Sequence, residues 1–367
     1  MRLISPIIFI LLFSSCSILN TQGVRSDDPI LRAVWTKNLD PDYNTGNLPI
    51  ALHGPAYHNG MVFSGQDSGK MNAYDLRNGR LLWQEQDNSG YHSYPAVHDD
   101  VLIYGTRQGR VFARNYLTGE LLYAVDLDAP IESPPVIHEG RAFFHLRNHK
   151  IFALDFQTGQ ILWAYQRSVP FSTTIQGVST PLVDQHRLIV GFADGSLVAL
   201  NLEDGIILWE RRLGEGTQFV DVDISPVRIG DFIVAASLAG EMKLINPTDG
   251  MVIRRVGFTP SRSPMLLNNG EFLVGSKDGN IYLLDRDYEV VSELDLGRFP
   301  ITGYLPWKGG FVVTMAAGDI FWVDRQLKEK KTAFSLGHAH SSVLSRPIIA
   351  DGKLALMSSR HRLYIFQ

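Results

Sequence analysis

Asp221 and Asp223 stand two residues apart, and on a β-strand that spacing puts both carboxylates on one face. There they could meet a basic partner or help hold a cation. A cation site needs more ligands, and no further Glu or Asp cluster accompanies the pair. As a general acid and base they also lack a nucleophile signature. The plain alternative is that one carboxylate caps a turn and the other is solvated. His145 with His149, and His338 with His340, are spaced closely enough to suggest a metal. No third ligand lies near either pair in sequence, and surface or turn histidines account for both. No G-x-S-x-G elbow and no phosphate-cradling loop occurs in a context that would make it work. The only cysteine, Cys16, excludes an intramolecular disulfide framework and any multi-cysteine zinc or iron–sulfur site. Neither a cofactor nor a resident metal is therefore expected.

The elements that would carry these residues come from a repeat. A Pro, a short apolar strand, a Gly or Asp turn, a second strand and then a turn leading into a third recur along the chain. The clearest copy runs from Thr180 to Trp209. Comparable copies begin at Pro55, Pro95, Pro134, Pro226, Pro264, Pro306 and Pro347. Residues 31–367 divide into eight units of about 42 residues each, the size of a four-stranded propeller blade. In the clearest copy, Leu188 and Val190 alternate with Ile189 and Gly191, and Asp194-Gly195 supplies a hairpin turn. Both faces are apolar, as blades packed between two neighbours require. Four turns carry Gly79, Gly119, Gly159 and Gly205, each followed four residues later by Trp83, Tyr123, Trp163 and Trp209. The glycines permit a positive φ, and the aromatics are expected to dock on the next blade as core.

The last copy supplies only three strands, ending at Tyr364 to Gln367, whereas Val34 to Leu39 reads as a fourth strand without its first three. The expected fold is all-β: an eight-bladed β-propeller of four-stranded antiparallel blades, closed by its N- and C-terminal strands. Such closure hides open sheet edges and forbids division into independent domains. With 34 Lys and Arg against 38 Asp and Glu, the net charge is −4. No dense basic stripe is present to neutralise a phosphate backbone, so nucleic acid is not an expected partner.

Ahead of the repeats, Arg2 and the apolar run from Leu3 to Phe13 form a signal peptide too short to span a bilayer permanently. The run closes on Ser14-Ser15-Cys16, which resembles the bacterial lipobox, where the cysteine is diacylated and becomes the new N-terminus. That resemblance implies a signal peptide over 1–15, a lipidated Cys16 heading a polar tether over 16–30, and the propeller over 31–367. Ser17 is not the Asp that retains such lipoproteins at the inner membrane. The implied location is therefore the periplasmic face of the outer membrane, held through a lipid anchor.

The Ala-Leu-Asp, Thr-Gly and Trp landmarks of the repeat resemble the pyrroloquinoline-quinone-type propeller. Quinoprotein dehydrogenases of that type carry adjacent cysteines and calcium ligands, and a chain with one cysteine lacks the former. The repeat count, the lone cysteine after the signal and the stretch from Asp221 to Val227 resemble the BamB family of outer-membrane assembly lipoproteins. The resemblance implies a non-catalytic scaffold that binds the POTRA domains of BamA within the barrel-assembly complex and assists insertion of outer-membrane proteins. Contact with nascent outer-membrane proteins through strand edges would be a second role. Carried over by position, the partner-binding residues are Thr173, Ile175 and Gln176 on one loop, together with Asp221 and Asp223. The family loop usually has Arg before its glycine, where this chain has Gln176 before Gly177, so a bidentate charged contact is missing. The widest proline separations, 47 residues from Pro134 to Pro181 and 45 from Pro181 to Pro226, place extra loop length on the same side. An exported quinone-dependent propeller enzyme and a glycan- or envelope-binding lipoprotein are the alternatives.

Overall fold

Alternating short apolar strands and glycine turns fold here into eight antiparallel sheets of four strands each. The computed structural model describes residues 30–40, 50–91, 93–169, 178–214, 220–238, 240–337 and 341–367. Blade 1 is typical, with strands Ala56–His58, Met61–Gly65, Lys70–Asp75 and Leu81–Gln86 from the channel outward. The middle strands are buried except at Lys70, because neighbouring blades cover both faces. The outermost strand alternates, since only part of it is covered. Blade 8 is assembled from both ends of the chain: Ile348–Ala350, Lys353–Met357 and Arg362–Phe366 are completed by Ala33–Asn38, which pairs antiparallel to the last of them. The expected closure is thus present, and it begins earlier than the strand itself. Leu31 is buried among the apolar side chains of blades 7 and 8, and the Ile30 carbonyl accepts hydrogen bonds from Trp307 Nε1 and Lys308 Nζ.

The aromatic at the third position of the outermost strand joins each blade to the next. Trp83 Nε1 donates to the Tyr116 carbonyl at 2.9 Å, Trp163 Nε1 to Leu202 at 3.1 Å and Trp209 Nε1 to Pro247 at 2.8 Å, while Tyr123 Oη donates to Phe156 at 2.8 Å. Trp35, on the strand contributed by the N-terminus, makes the same bond to Leu76 at 2.8 Å. Each ring lies where a Cβ on the turn glycine of the following blade would stand, and Gly205, at φ 72°, has Trp163 in that place. The glycine is needed for its backbone conformation and for the missing side chain together. Beyond blade 4 the aromatic gives way to Arg254, bonded to the Asp287 carbonyl, and then to Ser292, bonded to the Gln326 carbonyl.

One repeat boundary differs from its sequence reading. Elsewhere the proline sits just before the innermost strand, but Pro306 lies within Ile301–Trp307, paired with Phe311. Tyr304 occupies the place that proline holds in the other blades. Leu305 to Trp307 pair as Ala56 to His58 do, so the repeat is intact and only its landmark has moved.

Candidate partner-binding site

The connection from blade 4 to blade 5 leaves the strand Ile207–Arg212 and enters Val227–Ile229, and it carries both acidic residues. Val222 N donates to the Phe192 carbonyl of blade 4 at 3.0 Å, while the Asp221 carbonyl accepts from Leu238 N of blade 5 at 2.7 Å. The backbone is therefore stitched to both blades at successive residues. This geometry corrects the sequence expectation. Neither Asp221 nor Asp223 lies in a strand, and neither is solvated: Asp221 is 7% exposed and Asp223 half-buried.

Burial dominates the chemistry of Asp223 and pushes its carboxyl up to about 6; Lys277 and Arg262 pull it down, and Asp221 pushes it up. The positive groups that face it thus belong to its own chain. Lys277, in blade 6, also donates from Nζ to the Leu238 carbonyl, which ties blades 5 and 6 together beside the acidic residue. Asp223 Oδ1 is buried without a hydrogen bond among the described residues. His145 of blade 3 lines the same small recess as Asp221 and Asp223. Its Nδ1 lies 2.9 Å from the Ser179 carbonyl, and burial pushes the ring down to about 3, so it is a neutral core histidine. His149 is likewise buried, in a turn. No group of three His, Cys, Asp or Glu suited to a metal occurs among the described residues.

A test of this electrostatic picture follows from linkage. The folded-state value of Asp223 lies above its ordinary 3.8, so the native protein holds the proton more tightly, and stability falls as pH rises from about 4 through about 6. Asp223→Asn is expected to stabilise the ring above pH 7 by up to about 3 kcal/mol and to have no effect below pH 4. Thermal melts of the two proteins across that range check it. A variant that is destabilised equally at every pH would show that the carboxylate is favourably bonded instead.

Thr173, Ile175 and Gln176 lie outside the described residues, as do Cys16, His338 and His340. Both ends of the segment that holds the first three are firmly based. Before it, Arg167 bonds Asp194 Oδ2 at 2.7 Å and both carboxylate oxygens of Glu210. After it, Ser179 Oγ donates to the Gly191 carbonyl at 3.0 Å, and Thr180 N donates to Ser225 Oγ at 2.8 Å, linking the connections that enter blades 4 and 5.

Sequence reasoning missed the serine of this base, although a signal for it was present. His53, Ser93, Ser179 and Ser345 each stand two residues before a repeat proline, and each bonds a carbonyl of its own blade's second strand. In blade 5 the corresponding residue is Ile224, which cannot make that bond. There the flanking Asp221 and Asp223 connection is held by its backbone instead.

A family model described as "Outer membrane protein assembly factor BamB" matches residues 32–103 and 72–289. Outer membrane protein assembly factor BamB of Yersinia pestis is 25% identical over 203 residues, which cover 53% of this chain and 50% of that protein. The Kangiella koreensis protein of the same description is 29% identical over 171 residues, 44% of each chain. The chain thus spans about half the length of the curated relatives it matches. Among solved structures, BamB from Moraxella catarrhalis superposes with a TM-score of 0.76 at 21% identity, over 92% of this chain and 99% of that one. A europium-containing methanol dehydrogenase superposes at 0.72 with 11% identity, over 93% and 95%. At such identities the structural likeness speaks for the propeller alone.

Proposed function

The chain belongs to the family of outer membrane protein assembly factor BamB, and from that premise we propose that it is a non-catalytic scaffold of the outer-membrane β-barrel assembly machinery. In this reading Cys16 carries a lipid that holds residues 16–30 as a tether on the periplasmic face of the outer membrane. The propeller then presents the loop with Thr173, Ile175 and Gln176 to the POTRA domains of BamA. The observation that carries the proposal is the rigidity of the base from which that loop departs. Arg167, Ser179 and Thr180 lock its two ends to blades 4 and 5. A short recognition segment on such a base meets its partner with little ordering cost.

The burial of the acidic pair changes the role proposed for it. Asp221 and Asp223 support the partner surface by fixing the connection beneath it, while direct contacts come from the loop. Loop and acidic variants should therefore differ in kind. Ile175→Ala with Gln176→Ala is expected to weaken binding of purified BamA POTRA domains by about 1–3 kcal/mol with an unchanged melting temperature. Asp221→Lys with Asp223→Lys should lower the melting temperature as well, because two cations would then be buried beside Lys277. Calorimetric affinities read alongside circular dichroism separate the two, and unchanged binding by the loop variant would move the contact elsewhere. Cys16→Ala should release the protein from membranes, and its retention there in high salt would refute the lipid anchor.

The reading as a non-enzyme rests on the family and on a sequence with one cysteine, which cannot supply a vicinal pair against a quinone. Absorbance of the protein after incubation with a quinone cofactor tests the alternative directly.

A further inference from the structure

The eight innermost strands surround a channel of about 1080 Å³ whose two parts differ in chemistry. Its waist is apolar except for Arg228, which is paired with Asp184. Tyr57, Leu266, Pro306 and Ile349 line it, and Leu266 and Ile349 are 52% and 43% exposed there although they are large aliphatic side chains. Its mouth is formed by the connections that lead into the innermost strands. Tyr94, Arg262, Tyr304 and Arg346 meet at that end.

The charges of the lining do not cancel. Glu132 is paired with Arg147 at 2.9 Å, and Arg228 with Asp184 at 3.2 Å. Asp223 faces Lys277 from within its recess. The Arg346 guanidinium is left over, and Arg262, which also faces Asp223, joins it at the rim. Arg262 spends Nε on the Thr302 carbonyl and Nη2 on the Leu344 carbonyl, both at 3.0 Å, which holds it across the mouth from blade 6 to blade 8. The exposed Arg346 side chain has no hydrogen-bond or ion-pair partner among the described residues. Both arginines act on the phenols of Tyr94 and Tyr304. Those rings are themselves fixed, because Tyr94 Oη accepts the backbone amide of Arg346 and Tyr304 Oη donates to the Ser263 carbonyl at 2.6 Å. A preorganised cationic rim above an apolar waist, in a cavity of small-molecule size, is how proteins take a charged head and an apolar body together.

We propose that the channel binds an amphiphilic anion, a carboxylate or phosphate monoester head at Arg346 and Arg262 with a short apolar tail along Leu266 and Ile349. The inference is independent of the partner surface above, since it involves neither the loop nor BamA. Titration calorimetry of the exported, full-length protein with octanoate and with octyl phosphate tests it and tells the two heads apart. Saturable binding of one or both at one site per chain is expected. Acetate, which lacks the tail, and octanol, which lacks the charge, should bind at least about tenfold more weakly. Arg346→Ala should weaken the amphiphile by at least about tenfold without moving the melting temperature, because its side chain supports nothing else. Leu266→Asp, which keeps the rim and spoils the waist, should do the same. Absence of saturable binding by the unaltered protein overturns the proposal. So does undiminished binding by either folded variant, or acetate and octanol binding as well as the amphiphiles.

Discussion

Deleting residues 31–39 is expected to abolish the cooperative thermal transition of the ring or to lower it by more than about 10 °C, whereas deleting residues 17–28 leaves it in place. The larger deletion effect has three sources. Strand Ala33–Asn38 supplies the outer edge of blade 8, so its loss bares the strand Arg362–Phe366. Leu31 leaves the apolar cluster shared by blades 7 and 8. Trp35 no longer bonds Leu76 or fills the space beside Gly79, which opens the junction between blades 8 and 1. A propeller is a closed circle, and one open junction leaves two blade faces without partners. Circular dichroism melts of both truncations decide the matter: equal stability would mean that seven complete blades and a partial eighth hold without the clasp.

Asp87→Ala is expected to destabilise the ring by about 3–5 kcal/mol, a fall of about 4–7 °C in melting temperature for a body of this size that melts as one unit. The carboxylate is the centre of a buried network between blades 1 and 2. Arg114 Nη2 donates to Oδ1 at 2.6 Å, and Oδ2 accepts from Tyr91 Oη at 2.5 Å and Tyr104 Oη at 2.8 Å. Arg114 also holds the Gly119 carbonyl at 2.8 Å, in the turn on which Trp83 packs. Burial first, and the neighbouring ionised groups second, keep both phenols protonated far above the usual tyrosine range. Removing Asp87 alone takes the buried carboxylate from Arg114, which keeps only the Glu85 carboxylate at 3.4 Å as an ionic partner, and takes an acceptor from two buried hydroxyls. Asp87→Leu combined with Arg114→Met removes both charges and should therefore cost less than Asp87→Ala. If the double variant is the less stable of the two, the pair contributes more than its desolvation cost.

Much of this architecture was legible because a propeller repeats its physics. The prolines, the turn glycines and the aromatics four residues after them recur where each blade must turn, pack and clasp, so blade number, closure and the structural role of Trp83, Tyr123, Trp163 and Trp209 follow from periodicity. The Ser93 and Ser179 signal was equally periodic and could have been read the same way. Pro306 shows the limit: a landmark can slide within a strand whose pairing stays in register.

Sequence by itself thus determined the repeat unit, the eight-fold ring and the shared terminal blade, since each depends on contacts that recur at a fixed spacing and need no knowledge of a distant partner. Tertiary structure alone decided what the non-repeating residues do. Asp221 and Asp223 read as an acidic pair on one strand face, or as a turn cap and a solvated carboxylate, until Arg262 and Lys277, from about 40 to about 55 residues onward, are brought against the connection and burial raises the Asp223 carboxyl to about 6. Arg346 and Tyr94 are 252 residues apart and meet only because the ring closes. Charge, burial and cavity shape at such places are sums over blades, and no single stretch of chain contains them.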